Sequence, residues 1–397
     1  MIEISRKEQC CGCTACASAC PAKCIQMQND FEGFKYPCVN LAQCANCHEC
    51  EKVCPVINKP VGKNKPAAFL IRSKNDSILQ ACTSGGVFTE LAIETINKGG
   101  IVYGATYDKD YSVCHQRISS LSEIDKLTGS KYVQSDLNET FLLLKRDIMN
   151  KKIVAFCGTP CQIAGLKNYL RNDYNNLLLV DLVCHGVPSP KLWRNYLDYQ
   201  KKKNGELEYI NFRSKRLGYH IPVMEERYKK GKIIIGSART NMMLKCYFKN
   251  IADRPICYEC PFKTVSRCSD LTIFDGWHAN DYGIDHDDGR GYTIVLTHSK
   301  KAEDIITNNG NFEIHEINLE KAISLDGRMA VNSVVKPENR GEFYHLLEQE
   351  GITKVVQAYF PITILDHAIE RIKHYLSYLK LSKFIKDFRD NKLSNSK

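Results

Sequence analysis

Cys10-x2-Cys13-x2-Cys16-x3-Cys20-Pro21 recurs as Cys44-x2-Cys47-x2-Cys50-x3-Cys54-Pro55. Thiolates this close in sequence can converge on one soft metal centre, while the proline stops the chain and turns the fourth thiolate toward another. The spacing therefore predicts two 4Fe-4S clusters with exchanged fourth ligands. Cys10, Cys13, Cys16 and Cys54 would hold one, and Cys44, Cys47, Cys50 and Cys20 the other. Zinc knuckles place four ligands around one ion, commonly as separated pairs, and two complete runs fit that pattern poorly. Cys11, Cys24 and Cys38 fall outside the repeat and read as bystander thiols.

Four more cysteines stand in suggestive settings: Cys161 in CGTPCQ, Cys184 in DLVCHG, and the pair Cys257 and Cys260 in RPICYECPFK. Gathered at one sheet edge they make a four-thiolate site; scattered, they are small buried hydrophobes. Ser84-Gly85-Gly86 precedes an apolar helical pattern and is either a plain helix start or an N-cap with free N–H groups for a pyrophosphate. Gly129-Ser130-Lys131-Tyr132 is either a solvated loop or a turn offering a hydroxyl, a cation and an aromatic ring. Thr159-Pro160 opens a helix whose first N–H groups suit negative charge. His185, directly after Cys184, is a proton relay or a packing residue. Arg213 and Lys215 in NFRSK suit an anionic substrate group or simply a surface strand.

The elements that must position these residues follow from periodicity. Residues 1 to 57 are cysteine-rich and weakly periodic, and NKPVGKNKP after them reads as a linker. AAFLIRS is a strand, and Val87, Phe88, Leu91, Ala92, Thr95 and Ile96 form the apolar face of a helix ended by Gly99-Gly100. IVYGATY, KKIVAFCGTPCQIAGLKNYL and NLLLVDLVCHGVPSPKLWRNYLDYQKK continue an alternation of strand and helix, which predicts a mostly parallel sheet with sites at its carboxyl edge. Cys161 and Cys184 lie just past such ends. Residues 207 to 300 are richer in strands, and from about Glu338 the chain reads as helical and basic.

Composition narrows the classes. The 397 residues suffice for two or three domains, and 43% apolar with 25% charged residues excludes disorder, coiled coil and collagen for most of the chain. Eleven of the 20 cysteines precede residue 55, a clustering unlike a disulfide scaffold. With no apolar leader and no run long enough to span a bilayer, the expectation is a cytoplasmic protein with reduced thiols. The net charge of +10 is read as solubility, with no nucleic-acid partner expected.

TSGGVFTELA, GSKYVQS, CGTPCQIAGLK, CHGVPSP, INFRSK and CYECPFK, in this order behind a two-cluster bacterial ferredoxin run, resemble the coenzyme F-420 hydrogenase/dehydrogenase beta-subunit family over about residues 8 to 345. The resemblance implies an α+β and α/β chain. A two-cluster 4Fe-4S ferredoxin domain (1–60) would precede a mixed α/β domain binding FAD and a cluster (66–335, in parts 66–150 and 151–335), then a helical basic tail (336–397). It implies a third 4Fe-4S cluster on Cys161, Cys184, Cys257 and Cys260, with Cys157 the nearest competitor. FAD contacts are implied at Ser84, Gly85, Gly86, Gly129, Ser130, Lys131, Tyr132 and Thr159; His185 is the candidate catalytic proton relay from its position beside Cys184, apart from the resemblance. DLTIFDGWH departs from the family's DITIGDFWG-like string, which puts the pocket roles of Asp275 and Trp277 in doubt.

The activity so implied is that of an iron-sulfur flavoprotein oxidoreductase. It would exchange electrons with a redox partner protein, ferredoxin-like or part of a larger complex, and with a small organic acceptor such as a deazaflavin. The alternative is an electron-transfer or accessory subunit, for example beside polysaccharide-modifying enzymes, with no substrate of its own. The tail is either a surface helix packed on the body or a peripheral membrane contact.

Overall fold

The computed structural model describes residues 1–62, 64–284 and 288–379. Residues 1–58 hold an antiparallel ribbon of β1 (Ile25–Asn29) and β2 (Lys35–Val39), with the short helices Ala15–Ala19 and Glu49–Lys52 packed on one another. Helices of this length do not persist alone; each carries the third cysteine of its run, Cys16 or Cys50. The sequence repeat is also a backbone repeat. Thr14 and His48, each four residues after the first cysteine of a run, both cap their helix in the left-handed region, with φ of 63° and 59°.

Further strands follow in chain order: β3 (Ala67–Ser73), β4 (Ile101–Tyr107), β5 (Val113–Ile118), β6 (Val154–Gly158), β7 (Leu177–Leu182), β8 (Leu207–Ser214), β9 (Val223–Tyr228), β10 (Ile233–Gly236), β11 (Leu271–Gly276), β12 (Tyr292–Thr297) and β13 (Phe312–Ile317). Strands β8, β9 and β10 form a small antiparallel sheet, and an eight-stranded sheet runs β13-β3-β12-β11-β7-β6-β4-β5. Within it, the neighbours β4–β6, β6–β7 and β7–β11 pair in parallel and the others antiparallel. The expected mostly parallel sheet is thus mixed, because β5 returns from β4 through a tight turn at 108–112 and β12 returns from β11 without a crossover helix.

Alternation along the strands divides the core. Ile101, Tyr103, Val154 and Phe156 face the helices Thr140–Met149 and Pro160–Leu170 and the segment bearing Cys13 and Ala15. Val102, Ala155 and Val180 face the helix Val87–Asn97 on the other side. A third cluster joins Leu192, Trp193 and Tyr196 of the helix Pro190–Asn204 to Phe343, Tyr344 and Leu347 of the helix Arg340–Tyr359, which is interrupted at Gly351 with φ 77°. The helix Ile364–Tyr378 leaves Ile364, Leu365, Ile372 and Tyr375 exposed. Residues 380–397, the remainder of the basic tail, lie outside the described residues. No helix among the described residues is long and apolar enough to cross a membrane.

Residues 1–58 are bound to the body through buried charges. Arg340 Nη1 and Nη2 each donate to a carboxylate oxygen of Glu32 at 2.6 Å. Arg254, 1% exposed, donates from Nε to Cys10 O (2.7 Å) and from Nη2 to Lys35 O (2.9 Å), and lies over the Tyr36 ring at 4.3 Å. The stretch read as a linker lies along the body, with Gly62 against the Arg267 backbone, where a Cβ would come within 2.5 Å of Arg267 N.

Candidate metal centres

Folding gathers the thiols around three cavities. Cys10, Cys13, Cys16 and Cys54 line one together with Cys11. Cys20, Cys44, Cys47 and Cys50 line a second with Cys24. Cys161, Cys184, Cys257 and Cys260 line a third, again with Cys11. Cys54 thus lines the cavity of the first run and Cys20 that of the second, the two short helices Ala15–Ala19 and Glu49–Lys52 being packed on one another. Among the described residues, no group of three or more His, Cys, Asp or Glu side chains is close enough to hold one metal ion. Four thiols ringing a cavity suit a cluster with metal at several corners, whereas zinc needs four ligands within about 2.3 Å of one point.

The parallel strands explain the third set. β6 and β7 are neighbours, so Cys161, in the first turn of Pro160–Leu170, and Cys184, just past β7, emerge side by side. Thr159 caps that helix in a capping box with Gln162, and its hydroxyl lies 3.2 Å from Cys161 Sγ. Cys257 and Cys260 come from the turn Pro255–Glu259 and the residue after it. Cys157 sits on β6 and packs into the core on the other side of the sheet, and Cys268 packs beside the first core cluster; neither lines the cavity. Lys263, Arg254 and Arg267 do line it, supplying positive charge for a set of thiolates. Lys263 donates to Cys184 O and Met329 O, and Arg267 pairs with the buried Asp181 at 3.0 Å. Burial pushes the thiols of Cys16 and Cys184 up to about 12, so the metal-free chain keeps them protonated and metal binding must displace those protons.

The loops expected to contact FAD meet one another. Ser130 N donates to Thr83 Oγ1 at 3.0 Å, which joins the 83–86 and 129–132 segments. Lys215 Nζ donates to Leu79 O, Ser84 O and Arg290 O, each at 2.6 Å. Ser84 is not the helix cap: Gly86 is, with φ 79°, and Ser84 Oγ lies 2.8 Å from Thr293 Oγ1. Gly85 N donates to the same hydroxyl at 2.9 Å, so it is not the free donor expected. The cause is close packing of β3 on β12, where a Cβ on Gly85 would stand 2.4 Å from Ile71 O. Gly129 supplies a left-handed turn with φ 82°. Lys131 Nζ donates to Lys126 O and Thr128 O at 3.0 Å, and burial lowers its amine to about 7.

Tyr132 stacks on Tyr247 at 4.4 Å and accepts from Arg213 Nη1 at 3.0 Å. Arg213 pairs with Asp275 at 3.0 Å, lies over Trp277 at 4.8 Å, and has an unpartnered buried Nε. The departure at DLTIFDGWH therefore leaves Asp275 and Trp277 beside this arginine. His185 lines the third cavity, lies 5.0 Å from Tyr247 and bonds Asn250 Oδ1 through Nε2 at 2.6 Å; burial lowers its pKa. Ser84, Gly85, Gly86, Gly129, Ser130, Lys131, Tyr132 and Thr159 line none of these three cavities.

Cys11, which reads as a bystander thiol in the sequence, lines two of these cavities, and Arg254 and Lys263, not singled out by the sequence, line the third. The signals available were the Cys10-Cys11 doublet and the basic residues flanking ICYECPF.

Residues 151–320 match a family model that describes the C terminus of the beta subunit of coenzyme F-420 hydrogenase/dehydrogenase. Among solved structures, a chain from the xenon-derivatised F-420-reducing NiFe hydrogenase complex of Methanosarcina barkeri is 19% identical with a TM-score of 0.44. The alignment covers 75% of this chain and 93% of that one. No curated protein matches the chain.

Proposed function

Because residues 151–320 match the family model for the C terminus of coenzyme F-420 hydrogenase/dehydrogenase beta subunits, we propose that this chain is an iron-sulfur flavoprotein oxidoreductase. It passes electrons between 4Fe-4S clusters and FAD and acts on a small organic acceptor or donor such as a deazaflavin. The carrying observation is that each of three cavities is lined by one four-thiol set implied by the sequence. In this reading residues 1–60 form the two-cluster ferredoxin domain, 66–335 the FAD- and cluster-binding domain, and 336–397 the C-terminal extension. When bound, the clusters would supply one-electron exchange and FAD two-electron chemistry.

The residues of the chain do the rest. Cys10, Cys13, Cys16 and Cys54 hold one cluster, Cys20, Cys44, Cys47 and Cys50 the next, and Cys161, Cys184, Cys257 and Cys260 the third. Lys263, Arg254 and Arg267 offset the thiolate charge of that last set. Arg213, through its unpartnered Nε, and Lys131 bind anionic groups of the flavin or substrate. Tyr132 and Tyr247 present stacked rings beside Arg213. His185, kept neutral by burial, bonds Asn250 through Nε2 and takes up a proton at Nδ1. Exposed Cys47 and its neighbours place the second set toward the redox partner.

The engagement of Ser84 and Gly85 by Thr293 favours a second reading, an electron-transfer subunit without a substrate. Anaerobic purification followed by analysis of iron, sulfide, zinc and flavin separates the two. About twelve irons and one FAD per chain support the oxidoreductase, and about eight irons with no flavin after FAD is supplied refute it.

A further inference from the structure

The helix Ile364–Tyr378 is joined to the body by its polar side. Glu370, 6% exposed, accepts from Ser237 N and Ser237 Oγ at 2.6 Å each. Asp366 accepts from Arg239 Nη1 at 3.0 Å, and Ser377 Oγ donates to Leu217 O at 2.8 Å. Helical periodicity sets these three residues on one side and gathers Ile364, Leu365, Ala368, Ile372 and Tyr375 within about 100° on the other. That other side faces solvent. Ile364 is 90% exposed, Leu365, Ile372 and Tyr375 are each more than half exposed, and Ala368 and the following Leu379 are exposed too. A surface helix ordinarily buries its apolar stripe and shows water its polar one; here the order is reversed.

Charge narrows what covers the stripe. Exposed Arg371 borders it one turn before Tyr375, and in the sequence residues 380–397 carry six Lys and Arg against two Asp. The occupant must take up apolar side chains and positive charge together. A second copy of this chain would bring two basic segments together, and their repulsion opposes it. A protein groove would have to close around the helix flanks, which the contacts of Asp366, Glu370 and Ser377 already hold against the body. A ridge about 22 Å long, mostly aliphatic and held flat, instead suits a planar surface with an apolar layer beneath anionic groups.

We propose that the helix Ile364–Tyr378 is a docking surface for an anionic lipid membrane. Ile364, Leu365, Ile372 and Tyr375 enter the boundary of headgroups and acyl chains, and the basic residues beside and after them meet the headgroups. None of these residues lines the three thiol cavities, so the proposal stands apart from the cluster and flavin assignments.

The test is sedimentation of the full-length protein, purified without oxygen, with vesicles of phosphatidylcholine alone or with about a third phosphatidylserine. Expected are pelleting with the anionic vesicles, a supernatant protein with the neutral ones, and weaker binding at about 0.5 M salt. Leu365→Asn with Ile372→Asn should weaken binding by about tenfold or more and leave the unfolding midpoint unchanged, since both side chains are exposed. A chain stopped after Leu379 should also bind more weakly, having lost the basic segment. Wild-type protein that stays in the supernatant with both vesicles leaves the stripe to a protein partner and overturns the proposal. Binding indifferent to the double substitution overturns it as well, and so does tighter binding by the shortened chain, which would mean that residues 380–397 cover the stripe. A dimer in light scattering that the double substitution converts to a monomer assigns the stripe to a second copy, again overturning it.

Discussion

Replacing Glu32 by glutamine tests whether the ribbon of β1 and β2 is anchored to the body by a buried charge pair. Arg340 holds both carboxylate oxygens at 2.6 Å, and the two side chains are only 6% and 10% exposed. Removing one partner of such a pair costs about 3–5 kcal/mol, because the remaining charge stays buried. Arg340 keeps its bonds to Asp253 O (2.8 Å) and Tyr258 Oη (3.1 Å), and the glutamine oxygen can still accept one bond. The expected loss is therefore at the lower end, about 3 kcal/mol, with Glu32→Ala nearer the upper end. The assay is urea unfolding followed by tryptophan fluorescence, since Trp193 packs in the cluster that contains Phe343 and Tyr344. A lower midpoint at constant m isolates stability from compactness. The double variant Glu32→Leu with Arg340→Met should recover much of the loss, because neither charge is left alone. A loss below about 1 kcal/mol in Glu32→Gln, or a double variant no better than the single, refutes the anchoring argument.

Two further outcomes are expected. Gly165→Ala places a methyl 2.7 Å from Cys13 Sγ, so it should destabilise by about 1–3 kcal/mol and lower iron content, although alanine ordinarily favours a helix interior by about 0.5–1 kcal/mol; a more stable variant with full iron would contradict the close packing. His115 is buried between Cys157 O (2.9 Å) and Ser135 Oγ (3.0 Å), and burial lowers its pKa to about 4. The unfolded chain then binds a proton that the fold rejects as pH drops from about 6.5 toward 4. Stability from this group is present above about 6.5 and falls by about 3 kcal/mol across that window, a slope that His115→Phe should flatten in denaturation curves at stepped pH.

The carboxyl-edge positions of Cys161 and Cys184 were legible because β6 and β7 open on the apolar runs VAFC and LLLV and are followed by turn residues. Strands β5 and β13 went unread, since VCHQRI and FEIHEI are short edge strands in which polar residues alternate with apolar ones. Reading 207–300 as strand-rich anticipated β8, β10, β11 and β12 but neither β9 nor the division between two sheets, which depends on partners remote in sequence.

By itself, the sequence determined the two cysteine runs and the turn after each, because thiols two or three residues apart are brought together by local backbone geometry. Tertiary structure decided what distance along the chain conceals. It set Cys11 between two cavities, sent Cys157 into the core, closed the Gly85 N–H onto Thr293, and buried Arg254 and Arg340 against residues 1–58. Each of these outcomes depends on which surfaces meet and on what is desolvated when they do. A residue's type and its near neighbours carry no record of that.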